Sequence, residues 1–436
     1  MSEERSRPTG PGGSDVIVVG AGIVGLTTAY ELAGSGLTVR LIDKGKAAGL
    51  QSSRNWGFVR RQGCDPSEID LVQSAASTWE RLAEEIGPDL TLVKKGLVNL
   101  ARTEPELTKY RTWLDTSSGT EAFGSRMISG EEATELVPWT AGRWAGGLYT
   151  PTDGHADPER AGAAVADAAR RRGVIIEEQV TVTGLNIISD VVRGVHTSAG
   201  SRSADRVVIA AGAWSRKLLA PLGLRLPVRW IRATAARTVP LPRVTELAVH
   251  VPQVGFSQQN DGSVIFGSAA WSDYDIAIDT LGDLRLFLPN FARNRKMIRL
   301  HLNRVAFQDL RRRLPGGEPD PFDWPRMDNP PANVRKIELA HRHLTELVPD
   351  WSNSRIQRSW AGTVDVTPDA LPVIERIADI DGLILATGMS SHGFGIGPGV
   401  GAAAAALVRE QQVAFDLSPY RIGRFKEGAV KAHQHL

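Results

Sequence analysis

Residues 15–43 read DVIVVGAGIVGLTTAYELAGSGLTVRLID, and few folds accept that string. Val16–Val19 is an unbroken run of β-branched residues, which suits a central parallel strand buried on both faces. Gly20, Gly22 and Gly25 then set the spacing G-x-G-x-x-G. A helical pattern runs on to Gly34 and Gly36, and a second apolar strand ends at Asp43. A lone G-x-G-x-x-G says little. Between a strand and a helix, with an acidic residue closing the next strand, it predicts a dinucleotide-binding βαβ unit. Gly20 permits the tight turn, Gly22 removes the Cβ that would stand before a pyrophosphate, and Gly25 lets helix and strand approach. The N–H groups at the helix start, around Ile23 and Val24, offer phosphate a positive dipole end. Asp43 can accept hydrogen bonds from a ribose. Lys44 beside it raises the case for a 2′-phosphate, but the Asp43 carboxylate would repel that group. The motif by itself leaves NAD and FAD both open.

The strand-then-glycine signal recurs twice. Arg206–Ala211 runs apolar into AAGAW, and Asp381–Gly388 reads DGLILATG ahead of SHGFGIGPGVGAAAAALV, a glycine-rich loop opening a helix. One sheet assembled from three separated segments accounts for this spacing, and the stretches between them then form a second domain. Pro66–Ile86 predicts an amphipathic helix with Leu71, Trp79 and Leu82 inward, Leu92–Leu100 a strand, and Pro158–Arg172 an alanine-rich helix. Val174–Ile176 and Val191–Thr197 predict further strands. Residues 271–330 are rich in arginine and close on a Pro/Gly cluster. They predict a solvated helical insertion, with a docking surface for another subunit as the sharper alternative.

Composition narrows the partners. At 436 residues, 42% hydrophobic and 23% charged, the chain can bury a core without disulfide or metal staples. A net charge of +2 supplies no global field for nucleic acid or an anionic membrane. One cysteine, Cys64, excludes an internal disulfide and points to a reducing cytoplasm. The polar first 14 residues predict a disordered leader, and no apolar run of about 18 residues suggests a membrane span. His341 and His343 stand two apart on a predicted helix, so they share no face, and no metal is expected.

Five stretches in one order carry a resemblance. They are the opening DVIVVGAGIVGLTTAYELAGSGLTVRLIDKG, then SSRNWGFVR, GHADPERAGAAVADAARRRGV, ADRVVIAAGAWS, and SWAGTVDVTPDALPVI followed by LILATGMSSHGFGIGPGVG. With them the chain resembles the D-amino-acid oxidase, glycine oxidase and sarcosine oxidase superfamily of FAD enzymes over most of its length. The implied fold class is α/β, α+β overall: a Rossmann-type FAD-binding domain interleaved with a mixed-sheet substrate domain. The resemblance assigns residues 15–56, 151–215 and 358–414 to the first domain and 57–150 and 216–357 to the second. The arginine-rich insertion at about 271–330 belongs to the second, and 415–436 form a tail. It implies that Ser52, Ser53, Arg54 and Asn55 lie along the FAD pyrophosphate and flavin ring. Val180 falls on the adenine side, and Ala211, Gly212 and Trp214 line the cofactor. Gly388, Ser391, His392, Gly393, Phe394, Gly395 and Ile396 run past the isoalloxazine, where oriented N–H groups stabilise the negative charge of the reduced ring.

Three departures from the pattern shape the expectations. Some relatives attach FAD to a cysteine in the segment matching Gly362–Thr367; none stands there, so non-covalent FAD is expected. Some sarcosine-oxidase-like members carry a lysine for reaction with oxygen in the strand matching Val264–Gly267. VIFG has none, which leaves oxidase and dehydrogenase both open and the acceptor as O2 or another oxidant. Val364 stands where amino-acid-oxidising relatives often have an arginine that clamps a carboxylate. Arg60 and Arg61 are candidates to replace it, Asp365 to hold a cationic amine, and Trp56 and Trp360 to line the pocket. Arg61, Asp365 and His392 are the candidate catalytic residues. Blander roles compete: His392 fixing its loop, Asp365 capping a turn, Trp360 filling core, and the arginines lying on the surface. His155 and Asp157 precede a helix at Pro158 and read as capping.

The resemblance implies FAD-dependent oxidation of a C–N bond in an amino acid, secondary amino acid or opine-like amine. A hydride passes from the α-carbon to flavin N5, leaving an imine that hydrolyses, and orientation does more than any base. The alternatives are an FAD-dependent 2-hydroxy-acid or polyol dehydrogenase, and a flavin subunit of a hetero-oligomeric dehydrogenase joined through 271–330.

Overall fold

The computed structural model describes residues 13–117, 123–268, 271–276, 283–302, 307, 311, 329–428 and 430. The leader expected at 1–14 lies mostly outside them, as do the last residues of the tail and much of the insertion expected at 271–330.

The opening motif folds as strand β1 (Ser14–Val19), helix α1 (Ile23–Gly34) and strand β2 (Val39–Ile42). β1 pairs in parallel with β2 on one side and with Arg202–Ile209 on the other. Leu383–Thr387 continues the parallel set beyond Arg202–Ile209, and Ile175–Glu177 continues it beyond β2. Val373–Arg376 adds an antiparallel edge, and the hairpin Val182–Ile188/Val191–Thr197 joins through Arg202–Ile209, giving eight strands among the described residues. Both faces of β1 are covered. Val16 and Val18 pack beneath the helices, and Ile17 and Val19 belong to the core on the opposite side. That double burial explains why the strand is apolar throughout instead of alternating.

Among the described residues the second sheet has ten strands and is mixed. Its longest pairing joins Arg229–Thr238 to Ile356–Val366 antiparallel, while Leu97–Ala101 runs parallel to Ala248–His250. The helix Val334–Leu347 backs it, with Ile337, Ala340 and Leu344 packed among Phe256, Phe266 and Trp351. The two sheets give the interleaved α/β architecture expected from the sequence.

Local elements follow from local chemistry. The helix Ile69–Ile86 buries Leu71, Trp79 and Leu82, and its entry turn carries a capping box between Asp65 and Glu68. Asp157 caps the helix Pro158–Arg171 by accepting from the N–H groups of Glu159 and Arg160. The strand expected over Leu92–Leu100 is confined to Leu97–Ala101. Gly96 turns the chain at φ +105°, and Val93 makes only an isolated bridge to His155.

Within the insertion, a helix spans Leu284–Asn294 and a strand Ile298–His301. The inner side of the helix is anchored. Leu286 joins the core, Phe287 lies under the Arg229 guanidinium, and Asn290 Nδ2 donates to the Pro368 carbonyl at 2.7 Å. Leu284, Leu288 and Phe291 form an exposed stripe on its other side. Among the described residues no helix is long and apolar enough to cross a membrane, and no group of His, Cys, Asp and Glu could hold a metal ion.

Candidate active site

A cavity of about 500 Å³ is lined by residues of both sheets, a volume typical of cofactor and ligand sites. The opening motif forms one wall. Gly20 holds φ at +103°, and a Cβ on Gly25 would lie 1.9 Å from the Gly20 carbonyl oxygen. Ala21 N–H donates to Asp43 Oδ2 at 2.6 Å and Gly45 N–H to Asp43 Oδ1 at 2.7 Å, so the carboxylate is fixed at the strand end. Ile23 N–H, at the start of α1, donates to Ser52 Oγ at 2.8 Å. The Lys44 ammonium lies 4.1 Å from the centre of the Trp214 ring.

The segment 51–55 folds on itself and on the second sheet. Asn55 Nδ2 donates to the Ser52 carbonyl, and Arg54 Nη1 to the Ala361 carbonyl. Trp360 Nε1 donates to the Arg54 carbonyl at 3.1 Å, so Trp360 supports this segment and does not line the cavity. Ser52, Arg54 and Asn55 line it, whereas Ser53 does not. Ala211, Gly212 and Trp214 line it as well. Val180 does not. Its N–H holds the Asp43 carbonyl, and its neighbours Thr181 and Val182 reach the wall.

The loop before the helix Gly393–Val408 forms another wall. Gly388, Ser390 and Ser391 take φ values of +79°, +48° and +79°. For the two serines this left-handed geometry costs about 1–3 kcal/mol each, and it persists where surroundings over-determine it. Here Ser390 Oγ accepts from Thr367 N–H at 3.1 Å, and Thr367 Oγ1 donates to the Leu371 carbonyl at 2.8 Å. Arg424 clamps the same turn with two hydrogen bonds to the buried Asp369 carboxylate, at 2.7 and 3.1 Å. Ser391, His392, Gly393, Phe394, Gly395 and Ile396 line the cavity. Gly388 lies just behind them.

His392 is committed on both ring nitrogens. Nε2 sits 2.8 Å from Glu68 Oε1 and Nδ1 3.1 Å from the Ser390 carbonyl. Burial pushes its pKa down, but the charge and hydrogen bond of Glu68, with the Ser390 carbonyl, outweigh that and raise it. The geometry suits a loop-fixing imidazolium more than a proton shuttle.

The two adjacent arginines diverge. Arg61 turns away from the cavity: its Nη1 donates to the Thr152 carbonyl at 2.8 Å and lies 3.7 Å from Asp153, and its Nη2 lies 3.6 Å from Glu80. A role for Arg61 in substrate binding or catalysis therefore has no geometric support. Arg60 lines the cavity, and among the described residues it makes no hydrogen bond and no ion pair. Burial pulls its pKa down, and the more distant Asp153, Cys64 and Glu68 act against that. Trp56 lines the same cavity. A Cβ on Gly267 would lie 2.2 Å from Trp56 Nε1, and one on Gly255 2.7 Å from its six-membered ring, so these glycines form the slot that seats the indole. Trp56 stacks on His250 with ring centres 6.3 Å apart.

His250 and several others went unremarked in the sequence. A single histidine in the short strand Ala248–His250 has no spacing to betray it. Burial, then the charge of Arg60, lowers its pKa to about 4, so the imidazole is neutral. Gln51 Nε2 donates to Asp365 Oδ1 at 2.9 Å, and burial raises the Asp365 pKa. A carboxyl driven toward its neutral form is poorly suited to hold a cationic amine. Lys336 and Trp271 also line the cavity and were equally silent.

The site fits a dinucleotide. Among the described residues beyond its chain neighbours, only Ser52 Oγ lies within 4 Å of a Cβ on Gly22, at 3.1 Å. Trp214 Nε1, His250 Nδ1 and Trp271 Nε1 are buried without hydrogen-bond partners among the described residues, and all three residues border the cavity. Buried polar atoms are rarely left unpaired, so such a cluster asks for a ligand.

Comparison with known proteins agrees. Residues 15–407 match the family profile DAO, described as FAD dependent oxidoreductase. The chain is 28% identical to glycine oxidase of Geobacillus kaustophilus over 426 residues, covering 94% of this chain and 97% of that protein. It is 26% identical to sarcosine oxidase subunit beta of an Arthrobacter species, covering 95% and 91%. Among solved structures it is similar to L-amino acid deaminase of Proteus myxofaciens in complex with anthranilate, with a TM-score of 0.88 at 25% identity, over 95% of this chain and 94% of that one.

Proposed function

The chain belongs to the DAO family of FAD-dependent oxidoreductases, and from that premise we propose that it oxidises the Cα–N bond of an amino acid or secondary amino acid whose carboxylate is held by Arg60. The observation that carries this reading is Arg60, a guanidinium lining the cavity with no hydrogen bond or ion pair among the described residues. A half-buried cation facing a cavity is best completed by an anion, and a planar guanidinium pairs best with a carboxylate. Bound FAD supplies the two-electron acceptor. The α C–H bond breaks with its electron pair leaving as hydride, the nitrogen lone pair forms the C=N bond, and water hydrolyses the imine to a carbonyl compound and an amine. That step needs a neutral amine, and the neutral imidazole of His250 adds no second positive charge beside it. Trp56, seated against Gly255 and Gly267, gives the substrate a rigid wall. The residues expected along the pyrophosphate and flavin are those already described, from Gly20 to Ile396. A cytoplasmic location fits the single, buried Cys64.

The test is an anaerobic screen. The purified protein is expected to be yellow, to release FAD on acid precipitation, and to bleach with α-amino or N-alkyl-α-amino acids but not with the matching 2-hydroxy acids. A colourless protein that cannot be reconstituted with FAD overturns the cofactor. Bleaching by hydroxy acids or polyols alone overturns the substrate class.

A hetero-oligomeric arrangement has its own support in the exposed stripe Leu284, Leu288 and Phe291, and in relatives that are named as beta subunits. Uncovered apolar stripes of this kind mark interaction sites. The isolated chain is expected to self-associate in size-exclusion chromatography, and the double variant L288E/F291E to run as a monomer with its flavin retained. A wild-type chain that is monodisperse and fully active alone removes the need for a partner.

A further inference from the structure

Arg60 is not the only cation in the cavity wall. Lys336, at the start of the helix Val334–Leu347, also lines the cavity and is 3% exposed. Its ammonium donates to the Trp271 carbonyl and lies 5.5 Å from the Trp271 ring centre. That is its one hydrogen bond among the described residues, and no carboxylate there is within ion-pair distance. The carboxylate acting on it from further off, Asp273, is occupied by His301 Nε2 at 2.8 Å and by Asn333 Nδ2 at 3.2 Å. Arg299 and Arg232 also act on it and repel, Arg232 being itself paired with Asp275 at 3.3 Å.

The Trp271 indole N–H is the second half of the feature. Its Nε1 is buried without a partner among the described residues, and the ring borders the same cavity. Arg299 stacks on that ring, 3.6 Å from its centre. A purely structural lysine would be an expensive way to hold one carbonyl, because a buried ammonium loses its hydration and needs an anion or several acceptors in return. Burial lowers Lys336 to about 8, which still leaves it largely charged at neutral pH, and a bound anion would raise it.

The two cations occupy different parts of the cavity. Arg60 lies against Gly395, where a Cβ would be 3.6 Å from the Arg60 backbone nitrogen, whereas Lys336 lies against Trp271 at the start of the helix behind the second sheet. We propose that Lys336 and the Trp271 indole N–H form a second anion subsite, and that the preferred substrate is an amine bearing two carboxylates, one at Arg60 and one at Lys336. This rests on the reading that Arg60 anchors the carboxylate of an amine substrate. Two chemical sources share the pattern: a dicarboxylic α-amino acid, and a secondary amine joining two carboxylate-bearing carbons.

The experiment uses the FAD-loaded enzyme and ligands that have no C–N bond to oxidise. Butyrate, glutarate and adipate are titrated by the perturbation of the flavin spectrum. At least one dicarboxylate is expected to bind tenfold or more tighter than butyrate. K336M should abolish that gap, W271F should narrow it severalfold, and K336R, which keeps the charge, should preserve most of it. No gap in the wild-type enzyme, or a gap untouched by K336M, overturns the subsite. Anaerobic bleaching by glutamate and by iminodiacetate then separates the two substrate sources. If neither these nor monocarboxylic amino acids bleach the flavin while the gap and its loss in K336M persist, the amine reading fails and the anion subsite stands.

Discussion

G25A is expected to purify without flavin and to lose about 3 kcal/mol or more of stability, although it adds one methyl group. The Cβ would fall 1.9 Å from the Gly20 carbonyl oxygen and 3.3 Å from Val18 Cγ1. The first of these is a backbone atom. Gly20 is held in its turn by an N–H bond to the Ile42 carbonyl at 2.8 Å, so it cannot step aside without pulling on β2. G22A provides the contrast. Among the described residues its Cβ would meet only Ser52 Oγ, at 3.1 Å, a side chain that can rotate. G22A should therefore unfold near the wild-type denaturant midpoint when both are stripped of cofactor, yet bind FAD at least tenfold more weakly. G25A should fail on both counts. Flavin absorbance of the purified proteins and guanidinium unfolding of the stripped proteins measure the two effects separately. A yellow G25A with the wild-type midpoint would mean that the close approach of α1 to β1 is not what positions the dinucleotide.

The parts of this molecule legible in its sequence are those set by neighbours along the chain. The run Val16–Val19, the glycine spacing and Asp43 encode β1, α1 and β2 because each requirement acts within about thirty residues. The cap at Asp157 was visible for the same reason, as was the inward set Leu71, Trp79 and Leu82. Leu92–Leu100 misled because its apolar content suits a strand, while Gly96, with φ +105°, breaks it in the middle.

The substrate side was mostly illegible, and the adjacent arginines show why. They follow directly on the short strand Phe58–Val59, and Arg60 lines the cavity while Arg61 turns away from it. Nothing local says which. The choice is made by Asp153, ninety residues on, which accepts from the N–H groups of Arg61 and Gln62 and sets the orientation of the segment. His250, Lys336 and Trp271 come from elements remote from the dinucleotide motif, and only the closure of the second sheet over the first brings them to one cavity. Gly255 and Gly267 are meaningless as letters until Trp56 is seen lying against them.

R60M is expected to lower kcat/KM for the bleaching substrate by a hundredfold or more, about 3 kcal/mol, with unchanged FAD content. The loss has two parts: the guanidinium–carboxylate pair disappears, and the substrate carboxylate is left in a cavity that has excluded water. R60K keeps the charge but not the two-pronged geometry, so it should recover only part of the activity. R61M is the discriminating partner. Its guanidinium serves Thr152, Asp153 and Glu80, so its expected defect is in the unfolding midpoint, and a larger kinetic loss in R61M than in R60M would reverse the assignment. His250 supplies a readout that a structural role for Arg60 would not move. Its pKa is lowered to about 4 by burial first and by the charge of Arg60 second. Removing that charge takes away one of the two depressing causes, so the imidazole should gain its proton at higher pH in R60M than in the wild-type enzyme. A protonated His250 adds positive charge next to an amine that must stay neutral. The acid limb of the kcat/KM profile should therefore move upward in R60M and stay in place in R61M. A profile that keeps its shape in R60M, with kcat/KM within threefold of wild type, would remove Arg60 from the substrate site and leave the carboxylate anchor to be sought at Lys336.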